Sequence, residues 1–67
     1  MVIVMKPSAT QDTIQGLAHQ IEQAHPEVRV SITKGVGCSI LGLVGDTSRI
    51  DQDKITIHDN VDRVMRV

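Results

Sequence analysis

The side chains with the widest chemical reach are His19, His25 and His58, the thiol of Cys38, and the polar segment Ser31-Ile32-Thr33-Lys34-Gly35-Val36-Gly37. Metal ligation fits the first group poorly. His19 and His25 are six positions apart, His58 and Cys38 fall on other elements, and no CxxC or HxxxH spacing occurs. A metal-chaperone reading would want paired cysteines after the first strand, where this chain has Lys6-Pro7-Ser8. Nucleophilic catalysis needs a base beside Cys38 or a serine, and nothing in the spacing puts a histidine there; a cysteine in a strand is ordinarily inert packing. Gly35-Val36-Gly37 opens like GxGxxG, but Gly42 comes too late to complete it. The segment also joins two strands, so no helix N-terminus faces a phosphate. An acylphosphatase-like activity would want an arginine in the first loop as an anion anchor, and Lys6 is followed by Pro7 instead. The expectation is no catalytic residue, no metal and no cofactor in this chain.

The polar segment survives this elimination. The hydroxyls of Ser31 and Thr33, the ammonium of Lys34 and the backbone amides exposed by Gly35 and Gly37 suit the carboxylate or amine of a small ligand. The competing reading is of solvated hydroxyls on an edge strand.

The bulk properties narrow the scaffold that must carry these groups. Sixty-seven residues make one domain, 1–67, and a domain this small buries only about 60% of its unfolded surface, so its core is thin. Cys38 is the only cysteine, which excludes an intrachain disulfide and suits a reducing cytoplasm. There is no Phe, Tyr or Trp, so the core is aliphatic; nine Val and eight Ile against three Leu favour sheet over bundle. The missing rings also argue against a platform for single-stranded nucleic acid, and a net charge of −1 provides no basic stripe for phosphates. Met1 to Met5 is apolar but far too short to span a bilayer. Neither nucleic acid nor membrane is an expected partner.

Element by element, Val2 to Met5 reads as a strand buried on both faces. Thr10 caps a helix whose apolar residues Ile14, Leu17, Ala18, Ile21 and Ala24 follow helical spacing, with Pro26 ending it. Val28, Val30 and Ile32 alternate with Arg29, Ser31 and Thr33, a strand with one wet face. Lys34 to Gly37 is a turn, Ser39 to Val44 a second doubly apolar strand, and Gly45-Asp46 its close. Thr47 or Ser48 could cap a short helix through about Asp51 to Ile57, although Ile55-Thr56-Ile57-His58 reads equally as strand. Val61 to Val67 is a β-rich finish. The order predicts an α+β, ferredoxin-like βαββαβ fold: a four-stranded antiparallel sheet with two helices on one face. In that arrangement the first and third strands are central, and these are the two doubly apolar runs. Two helices cover only one sheet face, so the second face is expected to be buried in part against another copy or another domain.

The same residues carry a family resemblance. The chain resembles the N-terminal regulatory domain of one type of 3-deoxy-D-arabino-heptulosonate 7-phosphate (DAHP) synthase, the enzyme that opens aromatic amino-acid biosynthesis. The matching stretches are Met1-Val2-Ile3-Val4-Met5-Lys6-Pro7-Ser8-Ala9-Thr10, Ser31-Ile32-Thr33-Lys34-Gly35, Ile40 to Asp46, and the Val-x-x-Val of Val61-Asp62-Arg63-Val64. The resemblance implies an ACT-like domain attached to a barrel that condenses phosphoenolpyruvate with erythrose 4-phosphate, a transferase whose catalytic part this chain lacks. It also implies that such domains pair, with tyrosine or phenylalanine held between them. The family's ligand-contacting histidine and serine fall on Ser31 and Thr33; Thr33 keeps a hydroxyl and Ser31 lacks the imidazole. The resulting expectation is a non-catalytic allosteric domain, dimeric and cytoplasmic. Its alternatives are a ligand-independent oligomerisation module and, less favoured, a small acylphosphatase-like enzyme.

Overall fold

The computed structural model describes residues 1–66; Val67, the last residue of the expected closing strand, lies outside them. The elements are β1 (Val2–Met5), α1 (Gln11–Ala24), β2 (Val28–Lys34), β3 (Ser39–Gly45), α2 (Gln52–Thr56) and β4 (Val61–Met65). All strand pairs are antiparallel and the sheet order is β2-β3-β1-β4. The two doubly apolar runs are the central strands, as expected.

Alternation sorts the side chains between the faces. Ile3 and Met5 of β1, Leu41 and Leu43 of β3, Val28 of β2 and Val61 of β4 join one core with Ile14, Leu17, Ala18 and Ile21 of α1 and Ile50 and Ile55 near and on α2. Both helices therefore pack on the same face of the sheet. Val61 and Val64 are three residues apart, so simple alternation would send one of them outward. The β1–β4 register shifts between Val4 and Met5, leaving Asp62 as an extra residue, and this bulge turns both valines toward the core.

Thr10 caps α1: its Oγ1 accepts from the Thr13 N–H at 3.2 Å. At the other end the His25 N–H donates to the Ile21 carbonyl before Pro26 stops the helix. Gly16 is on the exposed face of α1, and a Cβ built there meets nothing within 4 Å. Gly16→Ala is therefore expected to stabilise the domain by about 1 kcal/mol, read as a rise in Tm of roughly 4–8 °C in a thermal melt. No rise would mean that the exposed helix is not limited by backbone entropy at this position.

The second helix differs from the expectation in its cap and its length. Neither Thr47 nor Ser48 caps it. Asp51 does, its Oδ1 accepting from the Asp53 N–H at 3.0 Å, and the helix runs only over Gln52–Thr56. Thr47 and Ser48 belong to the preceding turn, where the Ile50 N–H donates to the Thr47 carbonyl. There the Asp46 carboxylate accepts from the Ser48 hydroxyl at 2.6 Å and from the Ser48 N–H at 3.0 Å; chiefly these two bonds hold its pKa below the usual aspartate value. Ile55 is buried in the core while Ile57 is 78% exposed, so one turn of helix places the useful isoleucine inward without a fifth strand.

The two edges are guarded differently. On β4, the Gln52 side-chain amide donates to the Val64 carbonyl at 3.3 Å. On β2, Glu22 reaches from α1 to accept the Val30 N–H at 3.1 Å. Such side-chain covers remove edge groups that would otherwise template further strands.

Candidate functional site

Positioning of the polar segment follows from the β2–β3 register. Ser31 pairs with Gly42 and Thr33 with Ile40, and β3 continues the rows into β1, where Gly42 meets Val2 and Ile40 meets Val4. The rows end on Met65 and Arg63 of β4. These residues occupy the sheet face opposite the helices. Ser31 and Thr33 are exposed along one margin of that face. Gly42 lies in its middle and has no side chain. A Cβ there would meet only the Ser31 carbonyl oxygen, at 3.9 Å. The backbone of Gly42 is thus the floor of a shallow dent walled by Val2, Ile40 and Val44, with the Ser31 hydroxyl beside it.

The middle of this face is apolar and uncovered by either helix, while Arg29 of β2 and Arg63 of β4 share its margins with the hydroxyls. Val44 is 67% exposed and Met65 44% exposed, while central Val4 is 8% exposed. A flat apolar floor rimmed by hydroxyls can hold a ring on the floor and a polar group at the rim.

Lys34, Gly35 and Gly37 are elsewhere. Lys34 follows Thr33 directly, so strand alternation sends it to the helix side, where its Nζ donates to Gln11 Oε1 at 3.0 Å. Gly35 and Gly37 form the hairpin turn: the Gly35 N–H donates to the Cys38 carbonyl at 2.8 Å, and Gly37 has φ +81°. These three residues line an open groove of about 300 Å³ together with Lys6, Cys38 and Ser39. The five expected ligand residues therefore form two groups on opposite faces, and hydroxyls and ammonium do not converge on one small molecule. Cys38 precedes β3, half-buried beside this groove, and is not a residue of the strand core.

The histidines are dispersed. His19 is exposed on α1. His25 and His58 border a second groove, about 380 Å³, between α1 and α2, floored by Leu17, Ile21, Ile50 and Ile55. His58 Nδ1 accepts from the Asn60 N–H at 3.2 Å, and His25 Nδ1 is 3.8 Å from Glu27 Oε1. Among the described residues no three His, Cys, Asp or Glu side chains are grouped to hold a metal ion, and no helix is long and apolar enough to cross a membrane.

Three residues of these surfaces carry no local signal of their role in the sequence. Lys6 reads there as the stop of a strand, Gly42 as an incidental glycine, and Met65 as part of a β-rich tail. The signal for Gly42 and Met65 is long-range pairing, each with Val2, and that for Lys6 is the groove it lines with Lys34; no local pattern contains either.

Comparison with known proteins agrees with this architecture. The family model for the DAHP synthase ferredoxin-like domain matches residues 1–67. A phospho-2-dehydro-3-deoxyheptonate aldolase of Thermotoga maritima is 30% identical over 67 residues, which is all of this chain and 19% of that protein. The crystal structure of a phospho-2-dehydro-3-deoxyheptonate aldolase (DAHP synthase) from the same organism superposes with a TM-score of 0.81 at 27% identity, over 98% of this chain and 19% of the other. The chain thus spans about a fifth of the length of these relatives. With a whole-chain family match and the βαββαβ topology in agreement, the chain belongs to the DAHP synthase ferredoxin-like domain family.

Proposed function

We propose that this domain is a regulatory part of a DAHP synthase, binding an aromatic amino acid between paired copies. The observation that carries this reading is the Gly42 dent in an uncovered apolar sheet face, with the Ser31 and Thr33 hydroxyls at its margin. An aromatic ring lies flat on the glycine backbone, and its amino-acid or phenol group bonds the hydroxyls. A second copy then covers the ring, together with Val44 and Met65. Ligand shifts the population toward the paired state by its higher affinity for that state. In this reading the condensation of phosphoenolpyruvate with erythrose 4-phosphate belongs to a barrel domain outside the chain, and the pairing changes access to it.

Tyrosine titration tests the proposal directly. The chain has no Phe, Tyr or Trp, so added tyrosine is the sole source of phenol fluorescence. The expected result is a change in that emission, amide shifts at Ser31, Thr33 and Gly42, and a rise in sedimentation coefficient with tyrosine or phenylalanine. Unchanged emission and amide spectra at millimolar ligand would overturn it. The exposed Val44 and Met65 side chains favour one competing reading, pairing without a ligand. Dimers of equal stability with and without amino acid would decide for that reading.

A further inference from the structure

We propose that the groove between the β1–α1 loop and the β2–β3 hairpin binds a dianionic tetrahedral oxyanion, the phosphate group of a small ligand. It lies on the helix side of the sheet, so the proposal is independent of the Gly42 dent.

The groove is lined by Lys6 just after β1, Lys34 at the end of β2, Gly35 and Gly37 of the turn, and Cys38 and Ser39 entering β3. No carboxylate lines it. That is a local departure in a chain with eight acidic and seven basic residues. The groove between the helices, by contrast, has the Asp51 carboxylate beside Arg49 and Lys54. Lys34 is tethered by the neutral amide of Gln11, which fixes its ammonium without cancelling the charge and leaves two of its three N–H donors available. Among the described residues, neither Lys6 nor Lys34 has a carboxylate within ion-pair distance. The turn N–H of Gly37, which lines the groove, donates to no backbone acceptor among those residues.

Two cations match a charge of about −2, which a phosphate monoester carries near neutral pH and a carboxylate does not. Donors arriving from two separate loops suit the three free oxygens of a tetrahedral group better than the two coplanar oxygens of a carboxylate. Lysine ammoniums bind phosphate as point charges, without the planar fork that would select a carboxylate pair.

The test is an amide NMR titration of the 67-residue chain in a phosphate-free, low-salt buffer. Inorganic phosphate, glycerol 3-phosphate and acetate are compared at matched ionic strength. Both phosphates are expected to give saturable shifts confined to Lys6, Lys34 and residues 35–39, and acetate is not. Tighter binding of glycerol 3-phosphate identifies an ester as the source, and equal binding identifies the free anion; either result supports the site. Lys6→Gln and Lys34→Gln are each expected to weaken binding roughly five- to tenfold, with Lys6→Arg retaining most of it and Tm unchanged throughout. Three results would overturn the proposal. One is acetate reproducing the phosphate shifts. Another is unsaturated shifts spread over Arg29, Arg63 and Arg66. The third is undiminished binding to the Lys6→Gln/Lys34→Gln double variant. Tyrosine binding at the opposite face should be indifferent to both lysine variants, which separates the fate of this proposal from that of the regulatory reading.

Discussion

Gly42→Val is expected to weaken aromatic amino-acid binding by well over tenfold while leaving Tm unchanged or slightly raised. Gly42 does not have a positive φ, so its backbone accepts a side chain without strain. The built Cβ has only one neighbour within 4 Å, the Ser31 carbonyl oxygen at 3.9 Å, which is ordinary contact. A β-branched residue replacing glycine inside a strand gains about 0.5–1 kcal/mol from backbone entropy alone. The same isopropyl group stands where the proposed ring would lie. An aromatic ring resting on the sheet removes on the order of 100 Å² of apolar surface from water, about 2.5 kcal/mol at ~25 cal/mol per Å². Losing that contact weakens binding by roughly seventyfold. Calorimetric titration beside a thermal melt checks both halves of the statement. Wild-type affinity in a folded Gly42→Val protein would remove the dent from the mechanism. A shorter step, Gly42→Ala, should give an intermediate affinity if ring height above the backbone governs binding.

Gly45→Ala has the opposite signature, a large loss of stability from the deletion of no contact. Gly45 is the last residue of β3 and pairs with Val28, the first residue of β2. Its φ is +120°, a conformation open to glycine and strained for other residues. A Cβ there would come within 2.5 Å of the Glu27 carbonyl oxygen and 3.4 Å of the Val28 Cα. Both are backbone atoms, so a rotamer change cannot relieve the clash. Relief requires the start of β2 to move, and Val28 there is 2% exposed and part of the core. The expected cost is about 2–3 kcal/mol, a large share of the stability available to a domain this small. Chemical denaturation of Gly45→Ala against wild type measures it. Equal midpoints would show that the β2 entrance yields freely. Gly45 and Gly16 bracket the range of glycine in this chain, since the same substitution strains one position and relieves the other.

The DAHP synthase ferredoxin-like assignment places these residues in a domain that forms about a fifth of the length of its Thermotoga relatives. In such an arrangement a sheet face left open by its own helices is available to a second copy or to a larger neighbouring domain. The proposed ligand dent lies on that face. The lysine groove is separated from it by the thickness of the sheet, so one domain can present an apolar surface and an anionic-ligand site without either distorting the other.

Much of this molecule is determined by local pattern. The aliphatic composition and the two doubly apolar runs specify which strands are central, the alternation in Val28–Lys34 marks an edge strand, and the spacing from Ile14 to Ile21 sets the buried stripe of α1. These signals are legible because they depend on periods of two and about 3.6 residues. Even the separation of Thr33 from Lys34 is implicit in strand alternation, although grouping polar residues by sequence proximity conceals it. The short second helix is ambiguous in sequence because Ile55-Thr56-Ile57 suits a strand equally well; only the burial of Ile55 and the Asp51 cap decide it. The bulge at Asp62, the positive φ of Gly45, the dent over Gly42 and the groove that Lys6 shares with Lys34 belong to the tertiary structure alone. Each arises where residues tens of positions apart are set side by side by strand register or loop packing. A side chain missing from one strand becomes a binding surface only when its neighbours on the adjoining strands are known.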